Sequence, residues 1–125
     1  MTPGVRRVEK PWGHEEIWAE TERYVGKLLV IRAGHRLSLQ HHERKDETLR
    51  VLSGEVRVWR GPHAHQLQEL TLGPGEVLHI PPGTLHRFEA LSDAELIEVS
   101  TPELDDVVRH ADDYGRAGPG PGPRP

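Results

Sequence analysis

Four residues of this chain, Gln40, His42, Glu47 and His86, offer the donor types that divalent-metal chemistry needs. Gln40 and His42 stand two apart, a spacing that on a strand points both side chains to one face. Glu47 follows five residues later, after the polar run 43–46, which reads as a solvated bend between two strands. A second punctuated stretch, 75–86, carries Gly75, Pro81 and Gly83 and ends on His86. If the strand bearing His86 lies beside the first pair, an amide oxygen, two imidazoles and a carboxylate meet in one site. That set suits zinc foremost, and also manganese, iron, cobalt or nickel, with room left for water or substrate. Strand parity turns His41 away from the site. His35 and His79 read as structural, and His63, His65 and His110 as surface residues.

The elements that must position these groups are short strands. Expected strands cover residues 14–20, 25–31, 37–42, 47–52, 55–59, 66–70, 77–80, 85–90 and 95–100, with turn signals such as Ser53-Gly54, Gly61-Pro62 and Pro81-Pro82-Gly83 between them. Many short strands so spaced argue for an all-β barrel or sandwich, the jelly roll being the eight-stranded solution. Residues 25–31 are apolar on both faces, as in a strand covered on both sides. Lys27 shares a face with Val25, Leu29 and Ile31, and a lysine there needs a partner. A substrate phosphate or a carboxylate such as Glu98 would supply one, which makes Lys27 the substrate-binding candidate. Trp12 and Trp18 read as plugs for the barrel ends or as a dimer contact. Residues 104–114 read as a short C-terminal helix.

With 125 residues the chain has the length of one domain, and a second, nucleotidyl-transferring domain has no room beside a barrel. Residues 1–8 read as an N-terminal arm, 9–116 as the barrel domain and 117–125 as a disordered Gly/Pro tail. The net charge of −4 gives no basic footprint for nucleic acid or an anionic membrane. The absence of cysteine excludes disulfides and thiolate metal sites. No signal-peptide core or membrane-length apolar run is present, so the expected address is the cytoplasm. A barrel this small exposes strand edges, and a homodimer is expected.

The spacing of Gly34, Gln40-His41-His42, Glu47 and Gly54, and then of Gly75, Pro81-Pro82-Gly83 and His86, resembles the two motifs of the cupin superfamily. Two identities depart: Gln40 stands at a usual histidine, and Ala90 where the second motif often ends in asparagine. Over roughly residues 8–116 the chain is similar to the type II phosphomannose isomerase domain. The shared words include Lys10-Pro11-Trp12-Gly13, Arg36-Leu37-Ser38-Leu39-Gln40, Ile80-Pro81-Pro82-Gly83-Thr84-Leu85-His86-Arg87 and Tyr114-Gly115-Arg116. The resemblance implies a cupin, that is a double-stranded β-helix or jelly-roll barrel, with Gln40, His42, Glu47 and His86 on a divalent ion. It implies interconversion of mannose 6-phosphate and fructose 6-phosphate, while the length of 125 residues leads to the expectation of no guanylyl transfer. It also marks Arg87 as a catalytic or phosphate-binding candidate, although alternation aims that side chain opposite to His86. Glu98, His79 and Lys27 are the candidate bases. A dioxygenase or another sugar isomerase on the same ligands, or a sugar-binding module without turnover, are the competing readings.

Overall fold

The computed structural model describes residues 4–119, and among them every regular element is a strand. In chain order these are β1 (Arg6–Lys10), β2 (Gly13–Glu20), β3 (Val25–Ile31), β4 (Leu39–His41), β5 (Glu47–Ser53) and β6 (Val56–Gly61). They continue as β7 (Gln68–Leu72), β8 (Val77–Ile80), β9 (Leu85–Ala90), β10 (Ala94–Ser100), β11 (Val108–Ala111) and β12 (Gly118–Pro119). Two six-stranded sheets form, in the orders β1-β2-β3-β10-β5-β8 and β12-β11-β4-β9-β6-β7. Every pairing within them is antiparallel.

The sheets close over a core that includes Leu29, Ile31, Leu49, Val51, Val58, Phe88 and Leu96. Period-two alternation places these residues inward: on β5, Glu47, Leu49 and Val51 are buried while Arg50 and Leu52 are exposed. Trp12 is buried at the edge of this core, whereas Trp18 is half exposed. Trp18 is the extra residue of a β-bulge between Ile17 and Ala19, and its ring lies over the Cα of Gly26. A side chain at Gly26 would collide with that ring, at 2.7 Å from Cζ2.

Turn chemistry is strict at Gly54, between β5 and β6. Its φ is +80°, and a Cβ there would stand 2.3 Å from the Asp93 carbonyl oxygen. Gly54→Ala meets both a left-handed backbone penalty of about 1–2 kcal/mol and a backbone clash. A fall in Tm of roughly 5–10 °C is expected on thermal unfolding followed by circular dichroism. An unchanged Tm would mean that the turn is built differently.

Three expectations about the chain ends change here. The predicted helix over 104–114 does not form: residues 104–105 make a turn, and 108–111 are β11, paired with β4 and β12. Val107 and Arg109 are buried while His110 is exposed, which is a strand pattern, and β-branched Val107-Val108 favours it. Residues 6–8, expected in an arm, pair in β1 with β2. Of the expected tail, Gly118 and Pro119 pair with β11, and 120–125 lie outside the described residues.

Candidate functional site

Gln40 and His86 are direct cross-strand partners on β4 and β9, and Arg109 of β11 faces Gln40 on its other side. Arg109, Gln40 and His86 therefore form one row across the second sheet, and all three line a cavity of about 400 Å³ between the sheets. Glu47 enters from the start of β5 and His42 from just beyond β4, both into the same cavity.

Ligand-capable atoms of His42, Glu47 and His86 lie within 4.8 Å of one another, and all three residues are buried. Each imidazole is oriented by a main-chain carbonyl. His42 Nδ1 donates to Asp106 O at 2.6 Å, and His86 Nδ1 donates to Thr84 O at 2.9 Å. That leaves both Nε2 lone pairs for the cluster, the arrangement by which ligand histidines are fixed in tautomer and aim. Burial pushes the His86 imidazole down to about 4, so it is neutral at pH 7, as a ligand must be. Burial alone would raise the Glu47 carboxyl, but the Lys45 ammonium and His42 hold it well below the usual range, so it is ionised.

The loop that delivers these groups is tightly tied. The Asp106 carboxylate accepts the backbone N–H groups of Glu43, Arg44 and Lys45, and Thr101 Oγ1 accepts that of Asp46. Gly83, at φ +83° in the Pro81-Pro82-Gly83 turn, donates its N–H to His42 O, which joins the two halves of the site.

This tying overturns the reading of 43–46 as a wholly solvated loop. Lys45 points inward and is only 5% exposed. Its Nζ lies 3.1 Å from Glu47 Oε2 and 3.0 Å from Glu98 Oε2. Burial opposes the charge, yet Glu98 and Glu47 raise the Lys45 pKa above its ordinary value. Lys27 continues the chain of alternating charge, 3.8 Å from Glu98 and 3.2 Å from Glu15. Sequence periodicity could suggest Lys27, but nothing local signals Lys45, whose aim is set by Asp106 some sixty residues away.

Fit to a divalent ion can be judged from one atom. Glu47 Oε2 is buried without a hydrogen bond of proper geometry, although His42 Nε2 and Lys45 Nζ both stand 3.1 Å from it. An ionised oxygen so placed beside two aimed imidazole nitrogens fits a metal, with Gln40 in the adjoining wall.

Other expected residues lie elsewhere. Arg87 is not brought into the cavity. Alternation puts it on the far face of β9 from His86, where Nε donates to Leu37 O at 2.8 Å and Nη2 stands 3.4 Å from Asp113 Oδ1. His79 is exposed outside, bonded to Asp46, and drops out as a cavity base. His41 also faces away, its Nδ1 2.7 Å from His110 Nε2. Residues that sequence reasoning passed over include Glu15, Arg109 and Arg116 in the cavity wall; the last two fell within or beyond the expected helix.

No helix among the described residues is long and apolar enough to cross a membrane. A family model described as mannose-6-phosphate isomerase C-terminal matches residues 3–112. The chain is 36% identical over 116 residues to mannose-1-phosphate guanylyltransferase ManC of Salmonella typhimurium, covering 89% of this chain and 23% of that protein. It is 34% identical over 116 residues to the xanthan biosynthesis protein XanB of Xanthomonas campestris pv. campestris, covering 89% and 24%. The chain thus spans about a quarter of the length of these relatives. Among solved structures, KdgF from Halomonas sp. superposes with a TM-score of 0.67 at 23% identity, over 78% of this chain and 88% of that one. Capsular polysaccharide assembling protein CapF from Staphylococcus aureus gives 0.68 at 20% identity, over 85% and 32%. At such identities these two establish the fold alone.

Proposed function

The chain belongs to the mannose-6-phosphate isomerase C-terminal family and folds as a cupin, and on that footing we propose that it is a metal-dependent aldose–ketose isomerase. Its substrates are mannose 6-phosphate and fructose 6-phosphate. One observation carries this reading: buried His42, Glu47 and His86 converge beside Gln40 in a half-enclosed cavity lined with further cations and carboxylates. His42 and His86 through Nε2, the Glu47 carboxylate and the Gln40 amide oxygen would hold the ion, zinc in the first place. When bound, the ion supplies Lewis-acid polarisation of the sugar carbonyl.

Isomerisation moves one proton from C2 to C1 and another from O2 to O1, with no external oxidant or reductant. Glu98 is the group we assign to the carbon-bound proton. Its carboxylate is buried in the cavity, and Oε2 has close cations but no hydrogen bond of proper geometry. Lys27 and Lys45 hold Glu98 in place and present ammonium donors to substrate oxygens. Arg87 serves as a positioning residue, since it clamps Leu37 O and so the approach to Gln40. The outer face of the first sheet carries Trp18, Leu28, Val30, Ile97 and Val99, an apolar surface that supports a homodimer.

Two measurements on the untagged protein test the reading: bound metal by elemental analysis, and a coupled assay of mannose 6-phosphate isomerisation before and after chelation. Stoichiometric metal and turnover that chelation lowers to background, and that added ion restores, are expected. Full metal without turnover would remove the isomerase reading and leave ligand binding or another cupin chemistry.

A further inference from the structure

The deep end of the cavity and its β1–β11 side differ in charge. In the deep end, Glu47 and Glu98 are matched by Lys45, and Glu15 by Lys27. On the β1–β11 side three cations gather: Lys10 at the end of β1, Arg109 on β11 and Arg116 beyond it, all lining the same cavity. Arg116 is held rigidly, its Nε and Nη2 each 3.1 Å from the two carboxylate oxygens of Asp112. The Lys10 side chain makes no hydrogen bond or ion pair among the described residues, although the residue is partly buried. The nearest anion to act on it, Glu15, is already bonded to Lys27. Burial lowers the Lys10 pKa, and the charges of Lys27, Arg116 and Arg109 add to that lowering against the pull of Glu15. Arg116 is balanced by Asp112, which also lies near Arg109. The partly buried Lys10 ammonium beside these two guanidinium groups has no carboxylate of its own and calls for an anion from outside.

We propose that Lys10, Arg109 and Arg116 form an oxyanion subsite that takes the phosphate group of the sugar phosphate. The identity of the phosphorylated molecule rests on the isomerase reading; the subsite itself does not. A phosphate monoester brings a charge of −1.5 to −2 at neutral pH and three acceptor oxygens, which suits the Lys10 ammonium flanked by guanidinium N–H donors. The spacing also fits a substrate that reaches from metal to subsite. Arg109 stands two strands from His86 across β4, roughly 10 Å at ordinary strand separation. A hexose phosphate with C1 and C2 at the metal ligands would thus direct its phosphate away from Lys27 and Arg87, the two residues that sequence alone singles out.

Binding of inorganic phosphate, with acetate as the carboxylate control, is the direct test, read by isothermal titration on the metal-loaded protein. Lys10→Met and Arg109→Gln are compared with the parent, and metal content is measured in each. Each variant is expected to weaken phosphate binding about tenfold while keeping its metal, and to lose preference for mannose 6-phosphate over mannose. Lys10→Met removes a group with no internal partner, so it remains a fair test even if Arg109→Gln folds poorly. Parent protein that ignores phosphate, or variants that bind it unchanged, would overturn the subsite. So would acetate binding as tightly as phosphate. Phosphate binding lost in the variants alongside absent isomerase turnover would keep the subsite and discard mannose 6-phosphate as its ligand.

Discussion

His86→Ala is expected to release the metal, lowering affinity by well over a hundredfold and turnover with it. The side chain is almost fully buried, its Nδ1 is committed to Thr84 O, and its Nε2 faces Glu47 and His42. Loss of an outer hydrogen-bonding partner of a ligand histidine typically costs 10–100-fold in metal affinity, and loss of the ligand itself costs more. Only His42 and Glu47 would then remain as strong donors, with an amide oxygen beside them. Gln40→Ala is expected to follow in the same direction by a smaller step, about tenfold, because a neutral amide is a weak ligand. Elemental analysis after dialysis reads both, with circular dichroism to confirm that the barrel persists. Full metal retention in both variants would sink the assignment of the site.

Much of this arrangement was legible because it rests on local rules. The His-x-x-x-x-Glu interval and the turn glycines bring His42, Glu47 and His86 together, and strand alternation turns His41 and Arg87 away from them. Lys27 was legible on the same ground, as a charge on an otherwise apolar inward face whose partner had to be found. What local rules could not give comes from contacts distant in sequence. Asp106 gathers three amides of the 43–45 loop and thereby drives Lys45 inward, where a run of polar residues reads as solvated. The β11 segment looked helical because its charges and apolar residues suit a short amphipathic turn. Pairing with β4 decides otherwise, and so brings Arg109 beside Gln40. The least legible residues are therefore cations whose position depends on which strand finds which edge.

Lys45→Met should separate the metal-free protein from the loaded one. In the metal-free state Lys45 is the cation closest to two buried carboxylates, at 3.1 Å from Glu47 and 3.0 Å from Glu98. Removing one partner from a buried ion pair leaves uncompensated charge and costs about 3–5 kcal/mol. For a domain of this size that is a fall in Tm on the order of 10–20 °C. A divalent ion reverses the sign of the argument. It places its own charge against Glu47, and in the parent it must do so with an ammonium close by. The variant lacks that repulsion, so saturating zinc should raise its Tm by more than it raises the parent's, since stabilisation by a bound ion grows with its affinity for the folded state. Lys45→Arg keeps the charge and should show neither the full loss nor the larger gain. Thermal unfolding of the three proteins, stripped and zinc-loaded, gives the comparison. Metal-free Lys45→Met as stable as the parent would mean that the ammonium does not sit between the carboxylates. A variant that is destabilised but gains no more from zinc than the parent would mean that Lys45 and the metal do not compete for Glu47.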